Sequence, residues 1–165
     1  MANQDHINMM MSLPEIKLTE WHRLDPQNNI LDLTGADFEG KEIVNAWLAY
    51  SNLEGAIFKS ATLTNVNFGY SNLLKVNFEG ATLENVNIGN ETNLENAIFK
   101  NAKFVGTPLH HLDLSNLNFE GADLSYASIE DVVFDMCDLS KANFYEATLE
   151  NCTPSALVGQ NSLIA

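Results

Sequence analysis

Large apolar residues return at every fifth position of this chain. In FEGATLENVNI, Phe78 to Ile88, they are Phe78, Leu83 and Ile88. Neither regular element has that period. On a helix of 3.6 residues per turn, five residues advance about 500°, so the apolar positions would wander around the cylinder. On a strand of period two, five residues reverse the facing each time. The chain must therefore turn once per repeat to bring the same face inward again. Val76, Ala81 and Val86 lie two places before the large residues and are small, which puts each pair on one side of a short extended segment. Each repeat then offers two inward side chains and three outward ones. Two places after the large residue stand Gly35, Gly40, Asn45, Gly55, Asn65, Gly80, Asn85, Asn96, Asn101, Gly106, Asn116 and Gly121. Glycine and asparagine tolerate φ > 0, which the third residue of a type II turn requires.

The beat runs from Leu33 to Ile88 and again from Leu94 to Leu149, twelve repeats in each block, with one extra residue inside Gly89–Thr92. All nine phenylalanines fall on the large inward position. A slower period gives the number of sides: Phe38, Phe58, Phe78, Phe99 and Phe119 recur every twenty residues, or twenty-one across the insertion. The residues that follow them, Glu39, Lys59, Glu79, Lys100 and Glu120, alternate in sign. If four repeats close one coil, the phenylalanines stack as an internal column at about 4.8 Å, the strand spacing of a sheet. The charges then form an external ladder, which serves solubility and register, because exposed pairs contribute only about 0–1 kcal/mol each.

At this point the sequence resembles the pentapeptide-repeat family, whose motif is A-(D/N)-L-x-x. GADFEG at Gly35–Gly40, SNLEG at Ser51–Gly55, GADLS at Gly121–Ser125 and KANFYEATL at Lys141–Leu149 carry the likeness. The resemblance implies an all-β chain, a right-handed four-sided (quadrilateral) β-helix of about six coils. The organisation expected is a capping segment over residues 1–30, the β-helix over 31–151 and a tail over 152–165. The chain departs from the motif at Lys41, a charge at a small inward position, and at Trp47, Ile57, Ile98 and Val133, apolar where the family places a polar outward residue.

A solenoid end exposes apolar stacking surface and unpaired strand edges, so it needs a cover. Ser12–Glu15, SLPE, fits a capping box ahead of a short helix, although Ile16 and Leu18 alternate as a strand would. The tail can cover the other end or join two molecules as a homodimer. Cys137 and Cys152 sit at small inward positions and read as core thiols. The start, MANQDHINMMM, has no basic n-region and no long apolar stretch, so a reducing cytoplasm is the expected setting. Secretion without a cleaved signal is the alternative.

No nucleotide-binding loop, metalloprotease helix or paired-cysteine motif occurs in the chain. The densest polar cluster is His110-His111, which the four-sided register stacks over Glu130 and Asp131. Two imidazoles and two carboxylates are metal-donor types. Adjacent histidines on a flat turn seldom converge on one ion, however, so no metal or cofactor is expected. Trp47, Tyr50 and Tyr70 face outward on the same side, and exposed aromatics beside histidines and acids make a protein-binding patch.

The net charge of −14 argues against binding nucleic acid or an anionic membrane directly. Asp113 to Glu150 holds nine acids and one lysine, a net of −8. The family resemblance gives this acidity a second meaning. Some members resemble B-form DNA, bind DNA gyrase and protect or inhibit that type II topoisomerase; others are effectors. The chain is therefore expected to be non-enzymatic and to present an acidic surface to a protein partner. Its candidate contacts are Trp47, Tyr50, Tyr70, His110, His111, Glu130, Asp131, Asp135 and Glu150. The register carries its own test. Deleting Asn90 restores an uninterrupted beat of five and is expected to lower the thermal midpoint less than deleting Asn85; equal damage would refute the register.

Overall fold

A computed structural model describes residues 31–89 and 91–153. The expected capping segment and nearly all of the tail lie outside the described residues. Each repeat forms one side of a coil, and four successive sides close it. The first face of the first coil begins at Leu31, the second at Ala36, the third at Lys41 and the fourth at Ala46. Short strands appear on two of these faces. On the third face β1 (Glu42–Val44), β2 (Thr62–Thr64), β3 (Thr82–Glu84) and β4 (Lys103–Val105) form one parallel sheet. On the fourth face β5 (Leu109–His110), β6 (Ser128–Glu130) and β7 (Thr148–Glu150) form another. The strand-like side of the coil thus changes from the third face to the fourth between Val105 and Leu109. The second face is held by single rungs that pass through six levels: Asp37, Ile57, Asn77, Ile98, Asn118 and Asp138. All pairing is parallel, and no helix occurs among the described residues.

The corners explain why the chain can turn so often. The corner residue of every described repeat has φ between 51° and 68°. A hydrogen bond closes many of the turns, as from Ala36 N to Leu33 O at 2.9 Å, while the corner N–H donates to the coil stacked on it, as from Gly35 N to Glu54 O at 2.8 Å. Glycine and asparagine supply this conformation cheaply, but Tyr50, Tyr70, His111, Tyr126 and Met136 also adopt it.

The core follows the pattern of the sequence. Phe38, Phe58, Phe78, Phe99 and Phe119 form a continuous column with centroids 4.9, 5.1, 5.3 and 5.0 Å apart and interplanar angles of 12–18°. Phe68 meets Phe58 and Phe78 edge-on from the opposite face, at 5.7 and 5.8 Å. Lys41, at a small inward position, is exposed. In the last coil Cys137, Leu139, Leu149 and Cys152 are only partly buried, and both thiols are free. Burial pushes the Cys137 thiol up from its ordinary value.

The outward Asp or Asn of the repeat builds a second scaffold. Asn72 Nδ2 donates to Asn52 Oδ1 at 3.0 Å and Asn93 Nδ2 to Asn72 Oδ1 at 3.2 Å. The same side-chain oxygens accept the N–H two residues on, from Glu54, Leu74 and Glu95. This amide ladder stops at Asp113, which has no side-chain N–H to donate. The expected charge ladder forms as discrete clusters rather than a continuous rail. Lys59 pairs with Glu79 at 3.1 Å, and Glu120 takes both Lys100 and Lys141, at 2.5 and 3.2 Å. Those two ammonium groups, Lys100 first, hold the Glu120 carboxyl below the usual carboxylate range.

Because Phe78 is buried between two stacked neighbours, Phe78→Ala is expected to destabilise the fold by about 3–5 kcal/mol. Chemical denaturation measures this, and a loss below about 1 kcal/mol would contradict its place in the column.

Candidate functional site

The fourth face and the corner that follows it hold most of the candidate residues. Descending the corner, Tyr50, Tyr70, His111 and Asp131 all have positive φ, at 62°, 60°, 55° and 53°. Tyr50 and Tyr70 are 54% and 52% exposed, and their rings stack with centroids 5.0 Å apart and planes only 1° from parallel. Trp47, 41% exposed, lies on the face beside them and pairs through its backbone with Asn67.

Below the tyrosines the ladder is interrupted. On the fourth face rungs join Trp47 to Asn67 and Asn67 to Asn87, and pairing resumes at Leu109–Ile129. On the first face they run from Asp32 through Asn52 and Asn72 to Asn93, and resume at Asp113–Val133. Among the described residues no rung joins Asn87 to Pro108 or Asn93 to Asp113. The second and third faces continue unbroken past this level. The split is therefore confined to one edge of the solenoid.

Two local features cause it. The extra residue lies here, and Gly89 and Glu91 both take positive φ, 58° and 63°. Pro108 has no N–H with which to continue the ladder. Threonines repair the inner side: Thr107, fully buried, accepts from Val86 N at 3.1 Å and donates to Leu83 O at 2.9 Å. The hydroxyl of Thr92 bonds the carbonyl of Ile88. Beneath the split the core stays closed, with Ile88, Leu94, Leu109 and Leu112 buried.

The opening is a groove of about 390 Å³ lined by Gly69, Tyr70, Asn87, Gly89, Pro108, His110 and His111. Gly69 and Gly89 line it with bare backbone, where a Cβ on Gly89 would crowd the Gly69 Cα at 3.1 Å. The histidines on its lower lip diverge. His111 Nδ1 meets Asp131 Oδ2 at 3.0 Å, whereas His110 Nε2 turns to Ser128 Oγ at 3.3 Å, although its backbone pairs with Glu130. Their ring centroids are 6.5 Å apart. Among the described residues no three His, Cys, Asp or Glu side chains gather as metal ligands.

Glu130 and Glu150 follow on the same face, paired in register on β6 and β7. Asp135 does not join them; it is exposed near the end of the first face of the last coil, where Asn116 N bonds its carbonyl at 2.8 Å. The acidic block as a whole is spread around the coil: Asp113 on the first face, Glu120 and Asp138 on the second, Asp123 on the third. Hydrogen bonds from the Ser115 hydroxyl and N–H hold the Asp113 carboxyl low. Sequence reasoning missed the groove and a second aromatic pair, Tyr126 and Tyr145, with centroids 5.7 Å apart. The signal for the pair was present: Tyr126 stands at a corner position by the same count that places Tyr50 and Tyr70 there.

The family model for pentapeptide repeats matches the chain over residues 43–69, 63–90, 109–140 and 118–153, with eight copies. Among solved structures, one similar chain is HetL, a pentapeptide repeat protein involved in heterocyst differentiation regulation in the cyanobacterium Nostoc. It is 21% identical, with a TM-score of 0.42, over 72% of this chain and 57% of that one. Another is a pentapeptide repeat protein of the Arabidopsis thaliana thylakoid lumen, 21% identical with a TM-score of 0.40, over 76% and 77% of the two chains. A third is QnrB1, a plasmid-mediated fluoroquinolone resistance protein, 20% identical with a TM-score of 0.39, over 74% and 69%. The chain thus spans little more than half of HetL's length. No curated protein matches it in sequence.

The tyrosine corner lends itself to a test. A left-handed conformation costs a non-glycine residue about 1–2 kcal/mol, and an aromatic pair returns about 0.5–1.5 kcal/mol. Two such residues are strained and only one pair contact is returned, so the strain outweighs the contact. Replacing Tyr50 and Tyr70 together by Asn, as at Asn45 and Asn65 on the neighbouring corner, is expected to leave the thermal midpoint unchanged or raise it. With the repeats matched over more than half its length and the four-sided coil in place, the chain belongs to the pentapeptide repeat family.

Proposed function

We propose that this protein is a non-enzymatic interaction module that docks a protein partner along its fourth face and the adjoining corner. The observation that carries this reading is the stacked pair Tyr50 and Tyr70. The two rings are half exposed and held at left-handed corners where glycine or asparagine would be less strained. Tyrosine is among the residues most enriched at binding hot spots. Trp47 and the Tyr70–His111 groove extend the aromatic surface, and Glu130, Asp131 and Glu150 add an acidic lower half. A partner of matching character carries an apolar strip beside basic residues.

The test is capture from the native host on immobilised protein. Replacing Tyr50, Tyr70 and His111 by Asn and Trp47 by Ser is expected to abolish capture while leaving the fold intact. Unchanged capture by a folded variant would eliminate this side of the solenoid.

A second reading follows from the crowding of acids between Asp113 and Glu150, a net of −8 over the last two coils. Two coils rise about 10 Å, so the line density is comparable with the one charge per about 1.7 Å of duplex DNA. On that reading the acidic end imitates DNA toward a topoisomerase such as gyrase. Against it, the acids lie on all four faces, Glu120 is neutralised by two lysines and Asp131 pairs with His111. Reversing Glu130, Asp131, Asp135 and Glu150 to Lys separates the readings. Lysine tolerates such corners, as Lys75 and Lys141 do at φ 57° and 60°. Docking through the tyrosines predicts no effect of the native protein on supercoiling by gyrase and a modest dependence on salt. Inhibition that DNA competes away, and that the reversed variant loses, would establish mimicry instead.

A further inference from the structure

The chain sorts its aromatic rings strictly: all nine phenylalanines are buried, and all four tyrosines are more than half exposed. The tyrosines form two pairs. Tyr50 and Tyr70 belong to the face already described. Tyr126 and Tyr145, 67% and 52% exposed, lie at the opposite border of that face, in the lower coils, with rings 83° apart in an edge-to-face contact. Tyr126 has φ 59°, in a corner column whose other members include Asn45, Asn65, Asn85 and Gly106. Val105, 52% exposed, stands at the end of β4, where the strand-like side of the coil moves to the next face. Between Val105 and Tyr126 the surface sinks into a recess of about 160 Å³ with a largely apolar lining, to which Lys103 and Asp123 also contribute. A cavity of about 150 Å³ holds a benzene ring, so the recess has room for one branched aliphatic or aromatic side chain.

We propose that this recess receives a single apolar side chain from a segment of a protein partner in which that residue is flanked by lysine or arginine. Charge selects the occupant. Glu84 pairs with Val105 across β3 and β4, Asp123 lines the recess and Glu146 follows Tyr126 down the corner, against the ammonium of Lys103. A second copy of this chain, with its own net charge of −14, would be repelled from the same surface. The inference rests on the interaction role proposed above only for the partner being a protein. It concerns a different border of the fourth face.

The experiment titrates the ¹⁵N-labelled full chain with a blocked synthetic peptide, Lys-Lys-Leu-Lys-Lys, and follows amide shifts. The expected result is saturable movement at Val105, Gly106, Ser125 and Tyr126. Binding should weaken about ten-fold when the leucine becomes serine or the lysines become glutamates. Tyr126→Asn, which restores the favoured corner residue, and Val105→Gln are each expected to abolish the movement. The Tyr50, Tyr70→Asn variant should retain it, so failure of the fourth face and failure of the recess give different results. Equal binding of the leucine and serine peptides, absence of movement at millimolar peptide, or sedimentation as a dimer that Val105→Gln dissociates would overturn the proposal.

Discussion

The structure depends on one backbone constraint: every fifth residue must hold a left-handed conformation. That corner lets a side of only two or three extended residues end and a new side begin, and it points the corner N–H at the coil stacked beside it. The large inward residue, the small one before it and the ladder of parallel rungs all keep their phase because the corner recurs at a fixed interval. A residue that cannot pass φ > 0 would cost more than its own strain. It would shift the facing of everything downstream, as a register slip does in any strand.

Where the corner residue is cheap, the surface carries little information. On the corner of Asn45, Asn65 and Asn85, Asn65 Nδ2 donates to Asn45 Oδ1 at 3.0 Å. Where the corner carries Tyr50, Tyr70 or Tyr126, strain of about 1–2 kcal/mol stands against modest ring contacts. The fold would be served as well or better by asparagine there. On the proposed function, such side chains are accounted for by what they present to the outside, which ranks the two tyrosine pairs ahead of the more numerous charges.

The sequence displayed some of this architecture far more openly than the rest, for a physical reason. Phe78 between Phe58 and Phe99 was legible because both spacings are multiples of one repeat, and a repeat returns each side chain to the same environment. The stacking of His111 over Asp131 was legible for the same reason. The Tyr70–His111 groove was not. It needs two unrelated irregularities, the extra residue near Gly89 and the missing N–H of Pro108, to fall on facing segments some twenty residues apart. Neither alone reads as an opening. The recess at Tyr126 was hidden similarly, because it forms where the strand-like side changes face, an event without a motif. Asp135 shares only an outward register with Glu130 and Glu150: it is exposed, and one corner of the coil separates it from their face.

The interrupted ladder also bears on how the molecule comes apart. A stack of repeats behaves as a one-dimensional array, each coil coupled mainly to its nearest neighbours, and its cooperativity is limited by the weakest coupling. Among the described residues one junction lacks the rungs of two faces out of four and is held by the core and the remaining two. The upper coils hold most of the Phe column and the amide ladder, and the lower coils end in the partly buried residues around Leu139 and Leu149, so the two sides of the junction are unequally held. Thermal or denaturant opening is therefore expected to start in the lower block and to slow at Asn87–Pro108 before it crosses. The weakened junction lies along one edge of the rod, beside the tyrosine corner.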